Sequence, residues 1–331
     1  MKISILGTGQ WGTSLAQVLT DAGNEVLMWG RNADVIEQIN SDHINDKSLP
    51  GIKLAESISG TTNIRKAFSD TGAILLAIPA QSLRENLTNW KADFPKYLPV
   101  ISSLKGVELG TQLRMTEVIQ EVLQFPADQI SIITGPNLAR EVVLRQPVGA
   151  VAASESQELA DLTAQIFSAP YFRVYTSTDV TGCELAGAAK NVIALAVGMA
   201  IGLGFGENTQ ALVITRGLSE LGMARGANPL TFVGLAGVGD LLATCGSSLS
   251  RNRTFGEALG KTGSMDNALK SVSSTVEGVA TASSIVELAH SVGIVVPIME
   301  AVADVVTNKI TPTEAIIQLM NEATGAEIEE Q

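Results

Sequence analysis

The chain of 331 residues is long enough for two domains at roughly 150 residues each. At 45% hydrophobic and 17% charged it is too apolar to be disordered, and its net charge of −12 excludes a binder that works by neutralising nucleic-acid phosphates or an acidic membrane surface. Its two cysteines, Cys183 and Cys245, and two histidines, His43 and His290, lie far apart, so neither a disulfide framework nor a metal site is expected.

The first residues run straight into glycines, with no apolar stretch of signal-peptide length, which points to a cytoplasmic protein. Strands are predicted over residues 2–6, 25–29, 73–78, 100–104, 130–134, 148–152 and 172–175. Between them lie helix-length segments, 12–22, 82–90, 112–123 and 157–167. This alternation predicts a mainly parallel sheet with crossover helices, a Rossmann-type α/β domain over residues 1–179.

From residue 180 to 331 the strand signals stop, and helical segments 182–200, 209–222, 274–291 and 297–307 predict an all-α domain. Pro229, Pro297 and Pro312 mark helix starts; Gly226, Gly260 and Gly293 mark helix ends. The uncharged stretch 192–206 is interrupted by four glycines and too short for a membrane span, so it reads as a buried helix and a loop. The acidic residues 326–331 read as a frayed end.

Gly7-Thr8-Gly9-Gln10-Trp11-Gly12 fits the pattern G-x-G-x-x-G, directly after the first strand and at the opening of the first helix. Gly7 permits the tight turn, Gly9 admits a pyrophosphate to the backbone, and Gly12 lets helix and strand pack closely. The free N–H groups of the helix start face the anion. A dinucleotide is the expected ligand. The second strand ends in Trp29-Gly30-Arg31-Asn32, with no carboxylate for a ribose 2′-hydroxyl, and Arg31 would welcome a 2′-phosphate. NADPH is therefore favoured, with NADH still admitted.

Reduction or oxidation by such a cofactor needs a group that exchanges a proton with the substrate oxygen. Lys190 stands in a nearly apolar helix, where burial would lower its pKa toward neutrality; the plainer reading is a lysine snorkelling from the edge of a core helix. Ser250, Arg251 and Asn252 combine a helix cap with a guanidinium fork, which suits a phosphate, or form only a capped surface helix. Asp240, next to Gly239, has three readings: a bond to a substrate hydroxyl, a bond to Lys190, or a turn. The loops holding Lys105 and Gly135-Pro136-Asn137 follow predicted strands at the sheet end where open α/β folds take ligands. Cys183 reads as a packed core thiol.

With Gly7–Gly12 and Trp11, Lys190-Asn191, Gly239-Asp240-Leu241, Ser250-Arg251-Asn252-Arg253 and Val276-Glu277-Gly278, joined by Lys105-Gly106 and Gly135-Pro136-Asn137-Leu138-Ala139, the chain resembles NAD(P)-dependent glycerol-3-phosphate dehydrogenase of the bacterial type over essentially its whole length. The resemblance implies a helical C-terminal domain of the 6-phosphogluconate dehydrogenase kind. It implies reduction of dihydroxyacetone phosphate to sn-glycerol 3-phosphate, the precursor of glycerophospholipids, by a soluble oxidoreductase.

By the same resemblance Lys190 is the proton donor, Asp240 supports it, and Arg251 with Asn252 holds the substrate phosphate. Lys105, Gly135 and Asn137 match further substrate positions, with Ser250 beside them. Gln10, Trp11, Arg31, Lys105, Ala139, Arg251 and Glu277 match positions that touch the dinucleotide. Gln10 and Asn137 stand where serine is common and Thr275 where valine is frequent, departures that bear on affinity rather than on the reaction. The other readings are a 3-hydroxy-acid dehydrogenase of the same plan and a non-catalytic NADPH sensor. Dimerisation through the apolar helical half is the expected assembly, with no nucleic acid and no membrane insertion.

Overall fold

The computed structural model describes residues 1–222, 226–270, 272 and 276–321. Thr275 and the acidic end 326–331 lie outside these residues, as does the expected helix start at 274.

Eight strands form one sheet: β1 (Lys2–Leu6), β2 (Glu25–Trp29), β3 (Ser59–Thr61), β4 (Ala73–Leu76), β5 (Val100–Ser102), β6 (Ile130–Thr134), β7 (Val148–Ser154) and β8 (Phe172–Ser177). Their order is β3-β2-β1-β4-β5-β6-β7-β8, and among the described residues only the β6–β7 pair is antiparallel. β4 is buried on both faces, which explains its unbroken apolar run, and β1 is buried from Ile3 to Leu6 with Ser4 as the one polar residue among them. The helices of this half are α1 (Gln10–Asp21), α2 (Ala33–Ser41), α3 (Ile64–Phe68), α4 (Leu83–Trp90), α5 (Met115–Leu123), α6 (Ala139–Val143) and α7 (Gln157–Phe167).

Each expected strand is present, yet β4 and β5 stop two residues early. Ala77 and Ile78, like Ser103 and Leu104, leave the sheet to become walls of a cleft. β3, three residues of Ser-Gly-Thr, has no readable pattern; it exists because it pairs with β2 from Leu27↔Ser59 to Trp29↔Thr61. Helix α2 went unread although its signal is present. Asn32 caps it, accepting from the N–H groups of Asp34 at 2.9 Å and Val35 at 3.2 Å, and Val35, Ile36 and Ile39 face the core.

The second half is helical: α8 (Val180–Gly202), α9 (Glu207–Gly222), α10 (Pro229–Phe232), a π turn over Leu235–Gly239, α11 (Asp240–Gly246), α12 (Arg251–Thr262), α13 (Met265–Lys270), α14 (Glu277–Ser291), α15 (Pro297–Val306) and α16 (Pro312–Asn321). Pro229, Pro297 and Pro312 each open a helix as expected. Helix α8 is long and apolar enough to cross a membrane, but 83% of its most apolar window is packed inside the protein. A second such run, Pro229–Gly246, is split by the π turn and 39% buried.

Helices α8 and α12 touch backbone to backbone. A Cβ at Gly198 would collide with the Arg253 carbonyl and one at Gly202 with that of Glu257, while Gly256 and Gly260 press on the carbonyls of Leu195 and Met199. This corrects the reading of Gly260 as a helix end. It sits inside α12 as part of a small-residue seam, and the helix stops at Gly263, whose φ of 61° closes it. The two halves are tied by Glu184 of α8, which accepts from Arg114 Nη1 at 2.9 Å and from Thr116 N at 3.0 Å and Oγ1 at 2.6 Å.

Candidate active site

The glycine turn is fixed by three local demands. Gly7 has φ +134°, and a Cβ there would strike the Ala77 carbonyl; a Cβ at Gly12 would press on Gly7's own carbonyl. At Gly9, which precedes α1, a Cβ would meet nothing within 4 Å. The protein itself makes no use of that space, which leaves the backbone open to a ligand. The turn is held from behind by Asn45, whose Nδ2 donates to the Thr8 carbonyl at 2.9 Å and to Thr13 Oγ1 at 2.8 Å; Ser48 Oγ donates to the same carbonyl at 3.1 Å.

In front of the turn a cleft of about 340 Å³ runs between the two halves. Gly9, Gln10, Trp11 and Ala139 line its sheet side together with Lys105 and Asn137. Lys190, Ser250, Arg251, Asn252 and Glu277 line its helical side. Gly7 and Gly12 belong to the turn but not to the cleft lining. Arg31 is exposed beyond the end of β2 and forms no part of the cleft wall.

Behind Lys190 and Lys105, outside the cleft lining itself, sits Asp240, fully buried at the start of α11. Its Oδ1 accepts from Lys190 Nζ at 2.5 Å, and its Oδ2 from Lys105 Nζ at 2.5 Å. Of the three readings of Asp240, the bond to Lys190 is the one formed. Lys190 also donates to Thr244 Oγ1 at 2.8 Å, and Lys105 to the Gly135 carbonyl at 3.2 Å. Gly135 thus meets Lys105 rather than the cleft itself. Lys190 is buried, which decides against the snorkelling lysine. Burial pushes the Lys105 amine down to about 8, with the neighbouring Lys190 charge adding and the Asp240 carboxylate opposing.

Ser250 caps α12, its Oγ accepting from Arg253 N at 3.3 Å, so Arg251 and Asn252 stand in the first turn with that helix start facing the cleft. Asn252 also stitches three helices: its Nδ2 donates to Asn191 Oδ1 at 2.8 Å, and its Oδ1 accepts from Gly278 N at 2.9 Å. Burial pushes the Glu277 carboxyl above the ordinary range, while Arg251 pulls it back. Cys183 is a core thiol, raised to about 12 by burial.

Among the buried polar atoms with no protein partner are Asn137 at both Nδ2 and Oδ1, Asn191 at Nδ2, and Thr134 at Oγ1. Asn137 and Asn191 line the cleft, so these orphaned groups fit a ligand that completes them. Sequence reading gave no role to Asn191, Thr244, Thr134 or Asn45, although Lys190-Asn191 carried part of the resemblance. Two had signals: Asn191 follows Lys190 inside an apolar helix, and Thr244 lies one helical turn after Asp240. A larger groove of about 710 Å³ along β7 and β8, between Pro147, Tyr171, Tyr175 and Leu235, contains none of this machinery.

Residues 2–160 match the profile of the NAD-dependent glycerol-3-phosphate dehydrogenase N-terminus, and residues 179–317 that of its C-terminus. The glycerol-3-phosphate dehydrogenase (NAD(P)+) of Thermobifida fusca is 47% identical over 330 residues, covering 98% of both chains. That of Streptomyces griseus is 46% identical over 330 residues, 99% of this chain and 98% of its own. The crystal structure of glycerol-3-phosphate dehydrogenase from Coxiella burnetii superposes with a TM-score of 0.91 at 31% identity, covering 97% of this chain and 99% of that one. The glycine turn, the two-lysine carboxylate site and these matches over both halves together establish that the chain belongs to the NAD-dependent glycerol-3-phosphate dehydrogenase family.

Proposed function

We propose that the protein reduces dihydroxyacetone phosphate with NADPH or NADH and a proton, giving sn-glycerol 3-phosphate and the oxidised coenzyme, reversibly. The observation that carries this reading is the buried carboxylate of Asp240 shared by Lys190 and Lys105 behind the cleft wall, between an open glycine turn and a capped arginine-bearing helix. A bound nicotinamide supplies the hydride for the ketone carbon.

Lys190 gives a proton to the ketone oxygen as negative charge develops there, and takes it back in the reverse direction. Asp240 and Thr244 fix the Lys190 amine in place, so its orientation is set before substrate arrives. Lys105 and the Asn137 amide complete the polar wall around the substrate. Arg251 and Asn252, with Ser250 beside them and the start of α12 behind them, grip the phosphate. Gly7, Gly9 and Gly12 shape the cofactor turn, with Gln10, Trp11, Ala139, Lys105, Arg251 and Glu277 around the dinucleotide. Arg31 reaches the 2′-phosphate of NADPH from outside the cleft.

The domain plan that goes with this reading divides the chain into an NAD(P)-binding unit, residues 1–179, and a substrate-binding unit, residues 180–331. The sheet ends at Ser177 and α8 begins at Val180, which supports that division. The burial of α8 supports a soluble protein. Cytoplasmic location, a homodimer built on the helical half, no insertion into membranes and the supply of glycerophospholipid synthesis belong to the same proposal.

The test is oxidation of NADPH, and separately of NADH, by the purified protein with dihydroxyacetone phosphate against unphosphorylated dihydroxyacetone. Rapid phosphate-dependent oxidation is expected. Turnover of 3-hydroxy acids instead, or tight NADPH binding with no turnover of either ketone, would overturn it.

A further inference from the structure

The cleft holds four basic side chains, and their charges are not balanced alike. Lys105 and Lys190 share Asp240. Arg251 faces Glu277 and draws its carboxyl down against the effect of burial. Arg140 lines the same cleft with its side chain exposed, and it enters none of the ion pairs or side-chain hydrogen bonds found among the described residues, which engage Arg65, Arg84, Arg114 and Arg145 instead.

Its position is set by the packing of two helix starts. Arg140 is the second residue of α6, and the carbonyl of Ala139 just before it accepts from Ser14 Oγ of α1 at 2.8 Å. That bond seats the first turn of α6 on the N-terminal part of α1, next to Gly9, Gln10 and Trp11. An open glycine turn, the positive end of a 12-residue helix and an uncompensated guanidinium therefore share one wall. Their combined chemistry is that of a site for a diphosphate, whose two charges a lone helix start compensates only in part.

We propose that Arg140 is a further cofactor-binding residue, forking onto the diphosphate bridge of the dinucleotide. The inference rests on the dinucleotide reading of the glycine turn. Because the diphosphate is common to both coenzymes, Arg140 serves NADPH and NADH equally, whereas Arg31 serves only the 2′-phosphate.

The test is binding of NADPH and NADH, followed by coenzyme fluorescence, and of ADP-ribose, followed by its displacement of NADH, to the parent protein and to Arg140→Ala, Arg140→Lys and Arg31→Ala. Arg140→Ala is expected to weaken all three ligands by a similar factor of about ten to a hundred, the range for a lost charge-assisted hydrogen bond. Arg140→Lys recovers part of that loss, and the KM for dihydroxyacetone phosphate stays unchanged. Since the side chain is exposed, the thermal midpoint stays put as well. Equal affinity of parent and Arg140→Ala, a loss confined to NADPH, or a change in KM for the phosphorylated ketone alone would each overturn the proposal. A parent protein that binds none of the three ligands would overturn the dinucleotide reading itself, and this inference with it.

Discussion

Lys105 of the sheet half and Asp240 of the helical half lie 2.5 Å apart, joined across 135 positions of sequence. This ion pair places on one carboxylate an amine from each half, so this part of the cleft wall exists only when both halves have folded and met.

The first prediction follows from the Lys105 amine, which burial holds at about 8. A lysine is cationic below its pKa, so its charge is present at neutral pH and lost as pH rises through about 8. The kcat/KM for dihydroxyacetone phosphate should fall above that point with the slope of one proton, and Lys105→Arg should flatten the fall. Initial rates between pH 6 and 10 check this; a parent profile that stays level to pH 9.5 would reject it.

Removing the amine in Lys190→Ala should lower kcat by roughly a hundredfold or more, the scale of a positioned proton donor. Asp240 keeps Lys105 as its partner, so the variant should fold, as circular dichroism would show. Near-normal turnover by a folded variant would move the proton transfer elsewhere.

Arg251→Ala should raise the KM for dihydroxyacetone phosphate while leaving unphosphorylated dihydroxyacetone as poor a substrate as before. Arg31→Ala, outside the cleft, should instead reduce the preference for NADPH over NADH. Steady-state constants for the two substrates and two coenzymes separate these roles.

The α8–α12 seam gives a stability prediction. At Gly198 a methyl group meets the Arg253 carbonyl rather than a yielding side chain, so Gly198→Ala should destabilise the protein by roughly 1–3 kcal/mol. Gly246→Ala, at the exposed end of α11 where a Cβ meets nothing, is the control and should not lower the melting temperature. Equal melting of the two variants would sink the argument.

Glu220 is buried against the start of α15, accepting from the N–H groups of Ile298 at 2.8 Å and Met299 at 3.4 Å, and desolvation nevertheless raises its carboxyl to about 7. A carboxyl raised on folding takes up a proton between its ordinary range and pH 7, so its contribution to stability declines as pH rises through that window. Glu220→Gln lacks this decline. Its advantage over the parent should grow from pH 5 to pH 8, by on the order of 1–3 kcal/mol, in paired thermal melts.

Much of this architecture was legible in the chain because it depends on local signals. Alternating strands and helices, the Gly7–Gly12 turn and the prolines opening α10, α15 and α16 each act through the conformation of a few adjacent residues. The motifs around Lys190, Asp240 and Ser250 were legible as chemistry for a related reason, since a charge in an apolar helix or an arginine beside a cap is unusual in its own neighbourhood.

What tertiary structure decided were the relations between distant segments. Nothing near Asp240 in sequence selects Lys190 and Lys105 over a substrate hydroxyl; the approach of α8, α11 and the loop after β5 makes that choice. Gly260 looks like a helix stop in its own segment and proves to be a contact with Met199. Three residues of Ser-Gly-Thr become β3 only because β2 offers them an edge. Asn45 supports the glycine turn from 37 positions away. Sequence alone determined the conformations and the types of chemical group; burial and the packing of remote backbones determined which of those groups meet, because desolvation and hydrogen-bond pairing depend on neighbours in space rather than along the chain.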